Sequence, residues 1–157
     1  MRYLSAALLC LSVLSAAEKY TGPRPPKADV PYLLHADNLI ETEAAEARED
    51  TRKDTTIAIL PGASSRARTP LAEPIFLLRA EKLVPDRIQA YRLDVKNGNR
   101  EVTISQRRSR NGARPIFLNV TRLGDGLFKI EVDQMLENGQ YCLSPDGSNT
   151  TFSFEVY

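Results

Sequence analysis

The amino-acid sequence predicts a mainly β protein, one antiparallel β-sandwich of about seven to nine short strands. Three observations point there. The C-terminal stretch reads as three strands, Leu127–Val132, Gln140–Ser144 and Thr151–Val156. Between the first two lies Leu136-Glu137-Asn138-Gly139-Gln140-Tyr141, the L-x-x-G-x-Y pattern of a tyrosine corner. In such a corner a Tyr near a strand start folds its hydroxyl back onto backbone a few residues upstream, as in Greek-key sandwiches. Finally, turn signals recur about every eight to twelve residues, and nothing alternates helix with strand as a parallel sheet requires.

The chain of 157 residues suffices for one domain with a sizeable core. Residues 1–17 stand apart from it. Arg2 is a minimal positive region, Tyr3–Leu14 an apolar run, and Ser15-Ala16-Ala17 the small residues of a cleavage site. A secretory signal peptide cut after Ala17 is expected, and with it a secreted or periplasmic location. The apolar run is short for a membrane span. Leu9 stands where a lipobox before Cys10 needs a small residue, so lipidation is set aside. Losing Arg2 takes Lys+Arg from 21 to 20 against 20 Asp+Glu, so no general attraction to nucleic acid or anionic membrane is expected. Cys142 is then the one remaining thiol, which leaves no intrachain disulfide. Trp is absent and aromatics make up 7%, against an aromatic sugar-binding platform.

In chain order, residues 18–31 carry Pro23, Pro25, Pro26 and Pro31, a density that favours extended polyproline II and bars a central ladder position. This segment is expected to be a tether or a strap along the domain, with a loose N-terminus as the plain alternative. The sandwich is expected over residues 32–157. Tyr32–Ile40 reads as its first strand. Glu41–Asp54 mixes Ala with Glu, Asp, Arg and Lys; propensity places a solvated helical turn or two ahead of a long polar hairpin. Thr55–Leu60 is a β-branched strand closed by Pro61-Gly62, and residues 63–70 form an irregular loop. Ile75-Phe76-Leu77-Leu78, between Pro74 and Pro85, is the strongest apolar run and fits a strand covered on both faces.

Three hairpins have readable registers. Asn97-Gly98 suits a type I′ turn, pairing Lys96 with Asn99, Leu93 with Val102 and Tyr91 with Ile104. The same register sets Asp94 opposite Glu101, a like-charge pair with only Arg92 or Arg100 at hand to offset it. A second hairpin joins Ile116–Leu123 to Leu127–Val132. A three-residue loop pairs Val120 with Ile130 and Leu118 with Val132, with Gly126 in the left-handed position of a bulged loop. The last hairpin pairs Leu143 with Phe152 and Tyr141 with Phe154. Gly126, Gly139 and Tyr141 thus have structural roles: bulged loop, corner turn and corner hydroxyl.

Candidate chemistry is sparse. Past the signal segment there is one His, His35, and one Cys, Cys142, in separate strands with no motif linking them, and a nucleophile needs a base within hydrogen-bond reach. Cys142 shares its side of the strand with Gln140 and Ser153, which fits a structural or half-exposed thiol; His35 fits a strand-end cap. No zinc ligand set, phosphate loop or dinucleotide fingerprint is present. The acidic run at 41–54 lacks the spacing of a calcium loop, and a carboxylate pair for glycoside chemistry has no sequence signature here. No catalytic, metal or cofactor residue is therefore assigned. Gln106–Arg114 holds Arg107, Arg108, Arg110 and Arg114 without an acid, and Arg forks recognise phosphate, sulfate or carboxylate. These four are the candidate contacts for an anionic polymer or acidic partner; a solvated loop that protects strand edges is the plain alternative. No aromatic lies among them, against single-stranded nucleic acid. Asn119 and Asn149 lie in sequons that a eukaryotic route could glycosylate, Asn149 in a turn and Asn119 in a strand. At Tyr157 the apolar phase runs opposite to that of an outer-membrane barrel terminus.

Tyr20–Lys27 (Y-x-G-P-R-P-P-K) and Arg68–Pro74 (R-T-P-L-A-E-P) resemble segments of a group of small uncharacterised exported proteins of soil bacteria. The tyrosine corner is similar to that of immunoglobulin-like and fibronectin-like modules, which implies an immunoglobulin-like sandwich. The chain departs from antibody-type domains in lacking Trp and a second Cys, and in Tyr141 adjoining Cys142. A fold likeness assigns no function. The expectation is a non-catalytic exported module that binds a protein or joins an envelope assembly. An anionic-polysaccharide binder comes second and a hydrolase last.

Overall fold

The computed structural model describes residues 19–52, 55–105 and 112–157; the expected signal peptide lies outside them. The described chain is mainly β. Its strands are β1 Pro31–His35, β2 Asn38–Glu41, β3 Glu43–Glu46, β4 Arg48–Arg52, β5 Thr55–Pro61, β6 Arg68–Thr69, β7 Ile75–Arg79, β8 Ile88–Lys96, β9 Asn99–Ser105, β10 Leu118–Gly124, β11 Leu127–Val132, β12 Gly139–Pro145 and β13 Thr150–Val156. Among the described residues one 3-10 turn, Pro85–Arg87, is the sole helical piece. The strands form two sheets, ordered β10-β11-β7-β1-β2 and β3-β13-β12-β8-β9-β5-β4, antiparallel except that β6 pairs β13 in parallel.

The sheets face each other across one apolar core, a sandwich-like arrangement. Leu33, Phe76, Leu78, Ile130 and Val132 from the smaller sheet meet Ile88, Ala90, Tyr141, Leu143, Phe152, Phe154 and Val156 from the larger. Phe154 is the hub: Phe76 meets it edge-on at 5.0 Å between centroids, and Tyr141 stacks on it at 5.6 Å. The apolar run of β7 sits mid-sheet between β11 and β1, with Phe76, Leu77 and Leu78 at 0% exposure, as a strand covered on both faces requires.

The larger sheet has a second interior on its other face. β3 and β4 stand at opposite ends of its pairing order, yet only Ala47 separates them in sequence. The sheet must therefore roll until its two ends meet. Inside the roll lie Ala58, Leu60, Tyr91, Leu93, Val102 and Cys142, with Ala45 and Ala47 packed against them. Arg100 also enters it, fully buried. Its Nε and Nη2 donate to the carbonyls of Gly62 (3.0 Å) and Pro61 (2.8 Å), Nη1 to Ser153 Oγ (2.8 Å) and Nη2 to Glu43 Oε1 (2.7 Å). One side chain thus ties β9 to β3, β13 and the 61–62 turn. Gln140 and Ser65 extend the polar lining, the Gln140 amide oxygen accepting from the Ser65 N–H at 2.9 Å.

Several expectations need correction. Among the described residues of Glu41–Asp54 there is no helical turn: β3 and β4 run through them, and β4 pairs β5 from Arg48↔Ile59 to Arg52↔Thr55. Alternation decides the outcome, because Glu43, Ala45 and Ala47 fall on the side that lines the roll, and small residues are what a tight interior accepts. Tyr32–Ile40 is not one strand but a hairpin, β1–β2, turning at Ala36-Asp37 with Ala36 at φ 54. The Asn97-Gly98 turn has both residues at positive φ, 51 and 76, as type I′ demands, and the Lys96↔Asn99 and Asp94↔Glu101 pairs form. The ladder ends there, because residues after the Arg-rich segment move in: Ala113 donates to Thr103 O and Ile116 to Ala90 O. Of the two arginines, Arg92 acts on the like charges only at longer range, by its attraction to Asp94. Arg92 pairs with Glu137 at 2.6 Å and Arg100 is buried elsewhere, while Lys96 approaches Asp94 at 3.6 Å.

The second hairpin has the expected register, Val120↔Ile130 and Leu118↔Val132, but by another device. Its turn is two residues, Asp125-Gly126 (φ 51 and 71), and Leu123 bulges between Arg122↔Phe128 and Gly124↔Leu127. Gly126 accepts from the Ala80 N–H at 2.9 Å, and a Cβ there would meet Ala80 O at 3.3 Å. The last hairpin pairs Leu143↔Phe152 and Tyr141↔Phe154 as read. The Tyr141 hydroxyl donates to the Glu137 carbonyl at 2.7 Å, and Gly139 opens β12 where a Cβ would lie 3.4 Å from the Arg92 guanidinium.

The Pro-rich segment lies along the smaller sheet. Asp29, at φ 57, accepts on one oxygen from the N–H groups of Glu81, Lys82 and Leu83, each at 2.9 Å. Arg79 donates to Pro26 O and Lys27 pairs with Glu41 at 2.8 Å.

Candidate functional site

Of the four candidate arginines, Arg107, Arg108 and Arg110 lie outside the described residues; Arg114 lies within them and is exposed. The chain from Gly112 to Ile116 runs beside β8 and β9, so Arg114 shares an open cleft of about 370 Å³ with Arg92, Lys96, Asp94, Glu101 and Thr103. Arg92 also lines a neighbouring cleft of about 280 Å³ with Ile116, Gln134, Met135, Leu136, Glu137 and Tyr141. It lies over the Tyr141 ring, 5.8 Å from the centroid, and its hydrogen bond to Glu137 raises its affinity for its proton.

Two large apolar side chains stand in water beside these clefts. Phe117 is 77% exposed and Met135 76%. Their backbones run close together: the Asp133 N–H donates to Phe117 O at 3.1 Å, Met135 follows two residues later, and Met135 lines the smaller cleft with Ile116. Sequence reading missed both. A signal for Phe117 was available: Ile116, Leu118 and Val120 alternate toward the core, which puts Phe117 in the outward phase with Asn119 and Thr121. Met135 gave none, since nothing in Asp133-Gln134-Met135 has a period.

The described surface is mixed in charge, with Asp94, Glu101 and Glu137 among the basic groups. The surplus of positive charge comes from the sequence. Between Glu101 and Asp125 there are five Arg and no acid. Aromatic, Met and Arg side chains together are the composition enriched at protein interfaces.

The remaining candidates separate. His35 ends β1 in the smaller sheet. Cys142 is 1% exposed on the face of the larger sheet turned away from it, and burial pushes its thiol up to about 12. The two have no common site. Asn119 is exposed on β10, and Asn149 is exposed in the β12–β13 turn with its carbonyl accepting from the Ala47 N–H. Among the described residues no three His, Cys, Asp or Glu are grouped to hold a metal ion, and no helix is long and apolar enough to cross a membrane. No protein-family model, curated protein or solved structure matches the chain.

Proposed function

We propose that the chain is a non-catalytic, exported immunoglobulin-like β-sandwich, with Tyr141 as its tyrosine corner, that binds an acidic partner protein outside the cytoplasm or in an envelope assembly. The carrying observation is the exposure of Phe117 and Met135 beside Arg114, at the exit of a segment with four Arg and no acid. An apolar anchor pair rimmed by guanidinium groups suits a partner that offers a hydrophobic pocket among carboxylates. Export rests on the signal-like residues 1–17, and the corner reading is supported by the Tyr141–Glu137 hydrogen bond and its spacing. The non-catalytic reading draws on the inert thiol of Cys142 and its separation from His35. The resemblance to exported proteins of soil bacteria agrees with this reading.

A photo-crosslinking residue at position 117, compared with one at Val84 (exposed elsewhere, 51%), tests it in the exporting cell. A discrete protein adduct at 117 that is lost when Arg107, Arg108, Arg110 and Arg114 become Gln is expected. Adducts alike at both positions would sink it. The acid-free run of Arg also favours a second reading, an anionic polysaccharide as ligand. Salt-dependent retention on an acidic glycan column, lost on Arg→Gln at those four positions and indifferent to Phe117→Ser, would select that alternative.

A further inference from the structure

Resting on that reading of the surface, we propose how the partner is held: an acidic extended segment adds to the smaller sheet as a new strand along β10. β10 is the outermost strand of that sheet. Its pairing with β11 fixes which of its groups are free. The Asp133 N–H donates to Phe117 O across the ladder that continues Leu118↔Val132, so 117 and 133 are a hydrogen-bonded pair. Antiparallel ladders alternate such pairs with non-bonded ones. Asn119↔Glu131 and Thr121↔Lys129 therefore bond across to β11, while Leu118, Val120 and Arg122 turn their N–H and C=O groups outward. Among the described residues no partner reaches those outward groups.

Edge strands of this kind are normally blunted by Pro, by Lys, by inward-facing charge or by a covering segment. β10 has no Pro or Lys, and Leu118 and Val120 point inward onto the main core. The bulge at Leu123 lies at the far end, where Lys19–Gly22 share an open cleft with Arg122–Asp125, and the first five residues, Leu118 to Arg122, are in regular pairing. An incoming strand would find main-chain partners along this length, with Phe117 exposed at one end as an anchor. Charge selects the occupant. Arg122 lies on the strand and Arg114 four residues before it, and the sequence carries no acid from Val102 to Gly124. Of the nearest acids, Glu131 is paired with Lys129 at 3.0 Å and Asp125 with Arg24 at 3.7 Å, while Asp133, exposed opposite Phe117, is one countercharge at the strand's start. An acidic strand is thus drawn in, and a basic one repelled.

The probe is a ten-residue peptide alternating Glu with Val, set against the same peptide with Lys for Glu and against one N-methylated on alternate residues. Binding to the full chain is followed by fluorescence anisotropy at low salt. The acidic peptide is expected to bind and the Lys peptide not. N-methylation, which removes about two or three hydrogen bonds while keeping charge and side chains, should weaken binding about tenfold or more. Val120→Pro, which deletes one outward N–H, should weaken it too. Equal binding of the plain and N-methylated peptides overturns strand addition and leaves the acidic-partner reading standing. No binding of the acidic peptide overturns both. A concentration-dependent dimer of the free chain that Val120→Pro abolishes would make β10 a self-interface and overturn the acidic-strand proposal.

Discussion

The two faces of β12 and β13 belong to different kinds of interior. One face, with Tyr141, Leu143, Phe152, Phe154 and Val156, closes against the smaller sheet as dry apolar packing. The other, with Gln140, Cys142, Thr151 and Ser153, lines the roll and surrounds a buried guanidinium. The first face has its stability in area removed from water and in ring contacts, which tolerate similar volumes. The second has it in a geometry where every polar atom needs a partner, which tolerates little. Pairing order explains the need. A sheet that closes on itself through the single residue Ala47 has no outer layer to fix its diameter there, and Arg100 spans the gap by bonding groups on β3, β13 and the 61–62 turn at once.

The largest loss should come from the dry side. Phe154→Ala removes a ring at 0% exposure that touches both Phe76 and Tyr141, and should cost about 3–5 kcal/mol in urea unfolding. A loss under about 1 kcal/mol would mean that the sheets do not meet at Phe154.

On the polar side, Glu43→Gln should cost about 3 kcal/mol, because it leaves the Arg100 charge buried and without its carboxylate. Changing Arg100→Met and Glu43→Leu together should recover most of that, since a packed apolar pair often matches a buried ion pair. If the double variant is no better than Glu43→Gln, the remaining bonds of Arg100 to Gly62, Pro61 and Ser153 hold the roll, and the ion pair does not. Acid distinguishes the faces as well. Burial alone would raise the Glu43 carboxyl, but the Arg66 N–H and the Arg100 guanidinium outweigh it and hold it below its ordinary 4.5. A folded-state value below the unfolded one gives stability that is present above 4.5 and lost as pH falls through the depressed value. Glu43→Gln should flatten that acid limb in melts from pH 5 downward, whereas Phe154→Ala should lower the curve at every pH.

The difference also accounts for what was legible in the sequence. Runs and registers of the dry face could be read directly: Ile75–Leu78, Leu143↔Phe152, Tyr141↔Phe154 and Val120↔Ile130 follow from alternation and turn chemistry. The roll could not. Beside Leu60, Tyr91, Leu93 and Val102 its interior holds Ala, Ser, Thr, Gln, Glu and Arg, residues that look solvent-facing in any window, so Glu41–Asp54 read as helix-prone and Arg100 as no more than a neighbour of the Asp94–Glu101 pair. Only long-range pairing, β13 with β3 and β5 with β9, gives those residues an inside. At the candidate site the arginines were visible as a charge run, but Phe117 and Met135 become an exposed pair only once Asp133 is known to bond Phe117.

Cys142 reports on the roll without any large perturbation. Burial raises its thiol from an ordinary 9.0 to about 12. A raised value gives stability that is complete below 9.0 and lost as pH climbs toward about 12, so Cys142→Ala should soften the alkaline limb of the melting curve. At pH 8 a thiol reagent should label Cys142 only at the rate at which the roll opens, and Glu43→Gln should speed that labelling far more than an equally destabilising change on the dry face. Equal acceleration by both would mean that the two interiors unfold as one unit.

The smallest effect tests a bond at the boundary between the two regions. Tyr141→Phe keeps the ring on Phe154 and deletes only the hydroxyl that donates to Glu137 O at 2.7 Å. The expected cost is about 1 kcal/mol, the net worth of one hydrogen bond plus part of the penalty for stranding the carbonyl. That carbonyl precedes Asn138, whose own oxygen Arg92 also approaches at 3.4 Å, so part of the strain can be taken up by the guanidinium. Tyr141→Phe combined with Arg92→Gln should therefore lose more than the two single changes added together. Strict additivity in a double-mutant cycle would show that the two groups hold the 137–139 turn independently, and no loss on Tyr141→Phe alone would remove the hydroxyl from any part in fixing the approach to β12.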